Sequence, residues 1–164
     1  MKVLYFGGQK SGKSLLAEKK ALKFDKDKKP FYIATYNNSY DDGEMHKRIE
    51  KHQSQRKESF ITIEEAFNLP RVIHSNETYL IDCISMWLLN NLDKTEEEIL
   101  SQLTVLEKSN SNIVFVLNNV NEGVIPMEKE SRKFVDMTGV IGQKLASFCD
   151  EVYEVTLGLE RRLK

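Results

Sequence analysis

Cysteine is scarce and scattered: Cys83 and Cys149 are the only two in 164 residues, and each stands in its own apolar neighbourhood. Such a pair offers neither a zinc-ligand spacing nor a disulfide framework, and a reducing compartment is expected. Long apolar runs are missing too. No stretch approaches the ~20 residues that a bilayer span requires, and the opening MKVLYFGG is too short a run for a signal peptide. No membrane association is expected, and a cytoplasmic location is the simplest one.

An excess of one charge is also absent. The 24 basic and 25 acidic side chains leave a net charge of −1, with no polybasic block longer than a few residues. Nucleic acid is therefore not an expected partner, since its phosphates demand a cationic surplus. The lysines of residues 19–29 read as the solvated end of a helix. Internal repeats and low-complexity linkers are lacking as well, so one domain is expected to cover residues 1–164. With 40% apolar and 30% charged residues, a chain of this size has the ordinary balance of a folded domain, and burying roughly two thirds of its unfolded surface is within reach.

The periodicity of what is present alternates between strand and helix. Residues 2–6, 31–34, 78–81, 113–117 and 151–156 read as strands, rich in β-branched and aromatic side chains. Helical spacing runs through 14–24, a mostly charged 44–57, 86–89, 95–106 and 132–148, with a Thr95-x-x-Glu98 capping box opening the fourth of these. Residues 35–43 have turn composition. The expected fold class is α/β: a P-loop NTPase-type, mainly parallel sheet with helices on both faces, which takes its ligands at the carboxyl ends of the strands.

The strongest chemical signal is Gly7-Gly8-Gln9-Lys10-Ser11-Gly12-Lys13-Ser14. It satisfies G-x-x-x-x-G-K-[ST] directly after a predicted strand and at the start of a predicted helix, the context that gives the pattern its meaning. The glycines let main-chain N–H groups turn toward phosphate oxygens, and the helix amino terminus adds a partial positive charge. Lys13 is expected to reach the β- and γ-phosphates, and Ser14 to offer its hydroxyl to Mg²⁺. A second carboxylate on the metal side belongs at the end of a buried strand, where Asp82 stands; the same residue also suits capping of the next helix.

Arg48, His52 and Arg56 are spaced i, i+4, i+8, so a helix would project all three from one face, with Glu44 continuing the stripe. Guanidinium groups that hold anionic oxygens beside a neutral imidazole suit attack on phosphorus; the same spacing also fits an exposed charged helix. His46 and His74 stand in no such constellation and read as surface residues.

Together these segments resemble the bifunctional adenosylcobinamide kinase and adenosylcobinamide-phosphate guanylyltransferase family. The resemblance runs almost end to end and is carried by GGQKSGKS, by Tyr32-Ile33-Ala34-Thr35, and by the D-x-E-M-x-x-R-I-x-x-H-x-x-x-R run of residues 42–56. Thr62 with Glu64, Asp82-Cys83-Ile84 with Trp87-Leu88, Gly123-Val124-Ile125-Pro126, and Arg132, Phe134, Asp136, Gly139, Gln143 and Ala146 carry it further. It implies two reactions, phosphorylation of the cobinamide aminopropanol hydroxyl and transfer of GMP from GTP onto that phosphate through a guanylylated histidine. It also implies His52 as nucleophile, Arg48 and Arg56 on the α-phosphate, Glu64 among the nucleotide contacts, GTP or ATP with Mg²⁺, adenosylcobinamide as partner, and a homotrimer.

The departures cluster at residues 119–121, with one more at 142. Where the family reads T-N-E-V-G-x-G-I-V-P, this chain has Asn119 for the glutamate and Asn121 for the first glycine, with Glu122 three residues beyond Asn119; Gly142 also replaces the asparagine before Gln143. An amide is a poorer Mg²⁺ partner or nucleophile-orienting group than a carboxylate, so the kinase step is the one these changes touch. Two other readings stay open: a family member that binds GTP or ATP without turning over cobinamide, and an unrelated small-molecule kinase built on the same loop.

Overall fold

Val3, Leu4 and Tyr5 alternate between the two faces of a sheet and are all buried, as a central parallel strand requires. They belong to β1 (Lys2–Gly7) in a computed structural model that describes residues 1–24, 28–37 and 58–164. After β1 come α1 (Lys13–Phe24), β2 (Phe31–Ala34), β3 (Ile61–Glu64), β4 (Thr78–Asp82), α2 (Ile84–Asn90), α3 (Glu96–Lys108), β5 (Asn112–Asn118), α4 (Lys129–Phe148), β6 (Glu151–Thr156) and β7 (Leu159–Arg162), with a 3₁₀ turn at Leu69–Val72. The charged helix expected at 44–57, with Arg48, His52 and Arg56, lies outside the described residues, as does most of the loop expected at 35–43.

The strands form one seven-stranded sheet in the order β3-β2-β4-β5-β1-β6-β7, parallel throughout except for the antiparallel β6–β7 pair. One face is covered by α2, α3 and α4, whose Trp87, Ile99, Leu103, Ile141 and Leu145 pack on Tyr79, Ile81 and Phe115. The other face meets α1. There Ala17 and Ala21, one turn apart and fully buried, let the helix lie close against Val3, Tyr5, Val114 and Val116. Helices on both faces of a mainly parallel sheet are thus present, as expected.

The capping box at the start of α3 forms in full: the Thr95 side chain accepts from the Glu98 amide while the Glu98 carboxylate takes the Thr95 amide. Three features differ from expectation. β3 was not anticipated because a four-residue edge strand, exposed at Ile61, Thr62 and Glu64, offers little pattern. The last helix starts at Lys129 rather than 132, since Glu128 caps it by accepting from the amides of Glu130 and Ser131, a role glutamate seldom takes. And β6 does not close the sheet: β7, with every residue exposed, follows it across a tight turn.

Candidate nucleotide-binding site

The loop between β1 and α1 is shaped by contacts on three sides. A Cβ on Gly7 would lie 2.3 Å from the Val155 carbonyl oxygen, so β6 passes too close for any other residue. Gly12 has φ +95°, a left-handed conformation that side chains resist. The Gly8 carbonyl accepts from the Ser11 amide at 3.2 Å, and the Gly7 carbonyl accepts from the Asn119 amide at 2.9 Å, joining the loop's start to the end of β5. Gly8, Gln9 and Lys10 are exposed, whereas Ser11 Oγ is buried with no hydrogen-bond partner among the described residues.

Lys13 opens α1 and is buried, its Nζ donating to the Gly8 carbonyl at 3.0 Å. Burial holds this ammonium below its usual pKa, with Cys83 and Asp82 acting in the opposite direction. The side chain is thus folded back over its own loop, where incoming phosphate oxygens would replace one carbonyl as its acceptor.

Ser14 and Asp82, expected together from sequence, are together. Ser14 Oγ donates to Asp82 Oδ1 at 3.4 Å, and Tyr32 Oη donates to Asp82 Oδ2 at 3.2 Å. The alternative role of Asp82 as a helix cap is not taken up: the N-cap position of α2 is Cys83, and no side chain caps it. Two facing oxygens, one hydroxyl and one carboxylate, are hard donors of the kind Mg²⁺ prefers.

Asp82 is held by a residue to which sequence reasoning assigned no role. Thr35, fully buried just past β2, donates its hydroxyl to the Cys83 carbonyl at 2.8 Å and accepts from the Cys83 amide at 3.0 Å. Asn90 Nδ2 in turn donates to the Thr35 carbonyl at 2.7 Å and to the Ala66 carbonyl at 3.0 Å. The hints in the sequence were that Thr35 follows one apolar strand and Asp82 ends another, and that both stand in segments that carry the family resemblance. Burial and the charge of Asp82 push the Cys83 thiol up to about 12, so it is protonated at neutral pH.

Glu64 is placed differently. It ends β3 at the register level of Ala34, which also pairs with Asp82, but four strand spacings, roughly 19 Å, separate its strand from β1. It is exposed and does not join the loop residues. At the end of β5 the departures from the family pattern form a small unit: Asn119 Nδ2 donates to Glu122 Oε1 at 2.9 Å, and Asn121 Nδ2 donates to the Val135 carbonyl at 2.9 Å. His74 is exposed, as expected.

A strand, a G-x-x-x-x-G-K-S loop and a helix, with an aspartate ending a strand of the same parallel sheet beside the loop's serine, define a P-loop NTPase-type α/β protein. The model of the family described as cobinamide kinase / cobinamide phosphate guanyltransferase matches residues 3–163. The chain belongs to that family, one of bifunctional kinase and guanylyltransferase enzymes. It is 34% identical to the bifunctional adenosylcobalamin biosynthesis protein CobP of Pseudomonas aeruginosa, over 100% of this chain and 98% of that one. With the corresponding CobU of Escherichia coli it shares 32% identity over the whole of both chains. Among solved structures, a KaiC-like protein of Pyrococcus horikoshii aligns with 93% of this chain and 69% of its own at a TM-score of 0.42 and 11% identity.

Proposed function

We propose that this chain phosphorylates the aminopropanol hydroxyl of adenosylcobinamide and then transfers GMP from GTP onto the resulting phosphate, through a guanylylated His52. The observation that carries the reading is the pairing of Ser14 with Asp82 at the mouth of the phosphate loop, in a chain matched to the cobinamide kinase / guanyltransferase family along nearly its whole length. In the first reaction the substrate hydroxyl oxygen loses its proton to solvent and bonds to the γ-phosphorus as the β–γ bridge breaks and the nucleoside diphosphate leaves. Lys13 and the loop amides bear the charge that develops on the phosphate oxygens.

In the second reaction an imidazole nitrogen of His52 bonds to the α-phosphorus of GTP and expels pyrophosphate. A phosphate oxygen of adenosylcobinamide phosphate then displaces the histidine, with Arg48 and Arg56 neutralising the non-bridging oxygens. Ser14 and Asp82 would hold Mg²⁺, which would offset the negative charge of the phosphate groups. Gly7 to Ser14 bind the triphosphate, Glu64 contributes at the far edge of the site, and either GTP or ATP serves the kinase step. Glu122, held by the Asn119 amide, returns a carboxylate to the end of β5 and supports turnover over mere nucleotide binding.

GTP labelled at the α-phosphate should leave an acid-labile, base-stable label on the protein that His52→Ala abolishes. Label persisting in that variant refutes the nucleophile. We also infer a homotrimer working in the cytoplasm, for which light scattering should report three chain masses.

A further inference from the structure

Among the described residues β7 contributes nothing to either core cluster and pairs only with β6, and all four of its residues are exposed. What the strand does is shape the turn before it. Thr156 pairs with Leu159, which leaves Leu157 and Gly158 as a two-residue turn with φ of +54° and +79°. Such turns favour Asn-Gly or Gly-Gly because both residues are left-handed. A leucine there is strained, and it buries nothing in return: Leu157 is 90% exposed and Leu159 75%.

The turn is nevertheless fastened to the phosphate loop. The Gly158 amide donates to the Ser11 carbonyl at 2.8 Å, and Gly158 Cα lies 3.1 Å from where a Cβ on Gly12 would stand. Two exposed leucines, one held in a strained conformation, are thus carried on main chain in contact with the phosphate-binding turn. Strain of this kind concentrates where a site demands a fixed side-chain position.

The Ser14–Asp82 pair lies toward β4, on one flank of β1, while β6 and β7 form the other flank. A triphosphate whose γ end met Lys13 and Ser14 would leave its nucleoside end to extend toward the opposite flank, where the turn stands.

We propose that the Leu157–Gly158–Leu159 turn is the nucleoside wall of the site, with both leucine side chains packing on the purine and ribose of the bound nucleotide. This rests on the phosphate-loop reading above. Apolar contact has no donor or acceptor pattern to read, so the wall accepts guanine and adenine alike.

The test titrates the full chain and its Leu157→Ser/Leu159→Ser variant with GTP, ATP and inorganic tripolyphosphate, all with Mg²⁺. The variant should lose roughly tenfold in affinity for both nucleotides, by the apolar area left uncovered, while binding tripolyphosphate as the parent does. Unchanged nucleotide affinity overturns the proposal. So does an equal loss for all three ligands, which would reduce the turn to a brace for the loop. Leu157→Gly separates binding from folding, because it relaxes the left-handed backbone: its Tm should not fall while its nucleotide affinity does. A parent chain that binds none of the three ligands refutes the phosphate-loop reading itself, and this inference with it.

Discussion

The hydroxyl of Thr35 satisfies both main-chain groups of Cys83 at once, donating to the carbonyl at 2.8 Å and accepting from the amide at 3.0 Å. This pair of hydrogen bonds ties the residue just past β2 to the main chain of the residue after Asp82, whose carboxylate itself accepts from Ser14 and Tyr32. Thr35→Val keeps the shape and leaves the Cys83 amide unpaired, while the Cys83 carbonyl keeps the Trp87 amide at 3.2 Å; this should cost roughly 1–3 kcal/mol of stability in a denaturant melt. Thr35→Ser, which retains the hydroxyl, should recover most of that. A valine variant as stable as the parent would show that water replaces the hydroxyl without loss.

Lys13 should make nucleotide binding pH-dependent on the alkaline side. Burial favours its neutral form, so its pKa in the free protein lies below the usual lysine value; bound phosphate favours the ammonium and raises it. Between the two values binding must take up a proton, and affinity should fall as pH rises through the lower one. Calorimetry in buffers of different ionisation enthalpy should register that uptake, and Lys13→Met should abolish it together with most of the affinity.

Asp82→Asn removes the charge that faces Ser14 at 3.4 Å without changing volume. Nucleotide affinity in the presence of Mg²⁺ should drop by about tenfold or more, while affinity in EDTA should change little, since only the metal-linked part is lost. Equal losses in both media would mean that Asp82 acts through packing instead.

Both cysteines should be silent in the folded protein. Burial raises the Cys149 thiol to about 12, and desolvation with the neighbouring charge of Asp82 raises that of the half-buried Cys83 to about 12, which leaves almost no thiolate to react at neutral pH. Iodoacetamide at pH 7.5 should modify neither until denaturant is added, when mass spectrometry should find two adducts. Rapid labelling of the native chain at either position would contradict this environment.

The site was unevenly legible beforehand. The glycine-rich loop and the aspartate beside Ser14 could be read because each depends on neighbours in the chain: a strand running into glycines and then a helix, and an apolar strand ending on a carboxylate. Glu122 was harder. Its approach to Asn119 follows from the path of a loop, not from a spacing rule. Thr35 offered no sign of its anchoring role because its partner, Cys83, follows another strand.

What the chain determined by itself was local: the alternation of strand and helix, the glycine turn with Lys13 and Ser14, the Thr95 cap, and a strand closing on Asp82. These follow from backbone preferences and from apolar periods of two and 3.6 residues. Only the tertiary structure decided the strand order, the presence of β7 and the fastening of Gly158 to Ser11. The strand order and the Gly158–Ser11 bond depend on hydrogen bonds between main-chain atoms far apart in sequence, which any residue can supply; β7 is a local hairpin partner of β6, but its four exposed residues carry no apolar alternation to announce it.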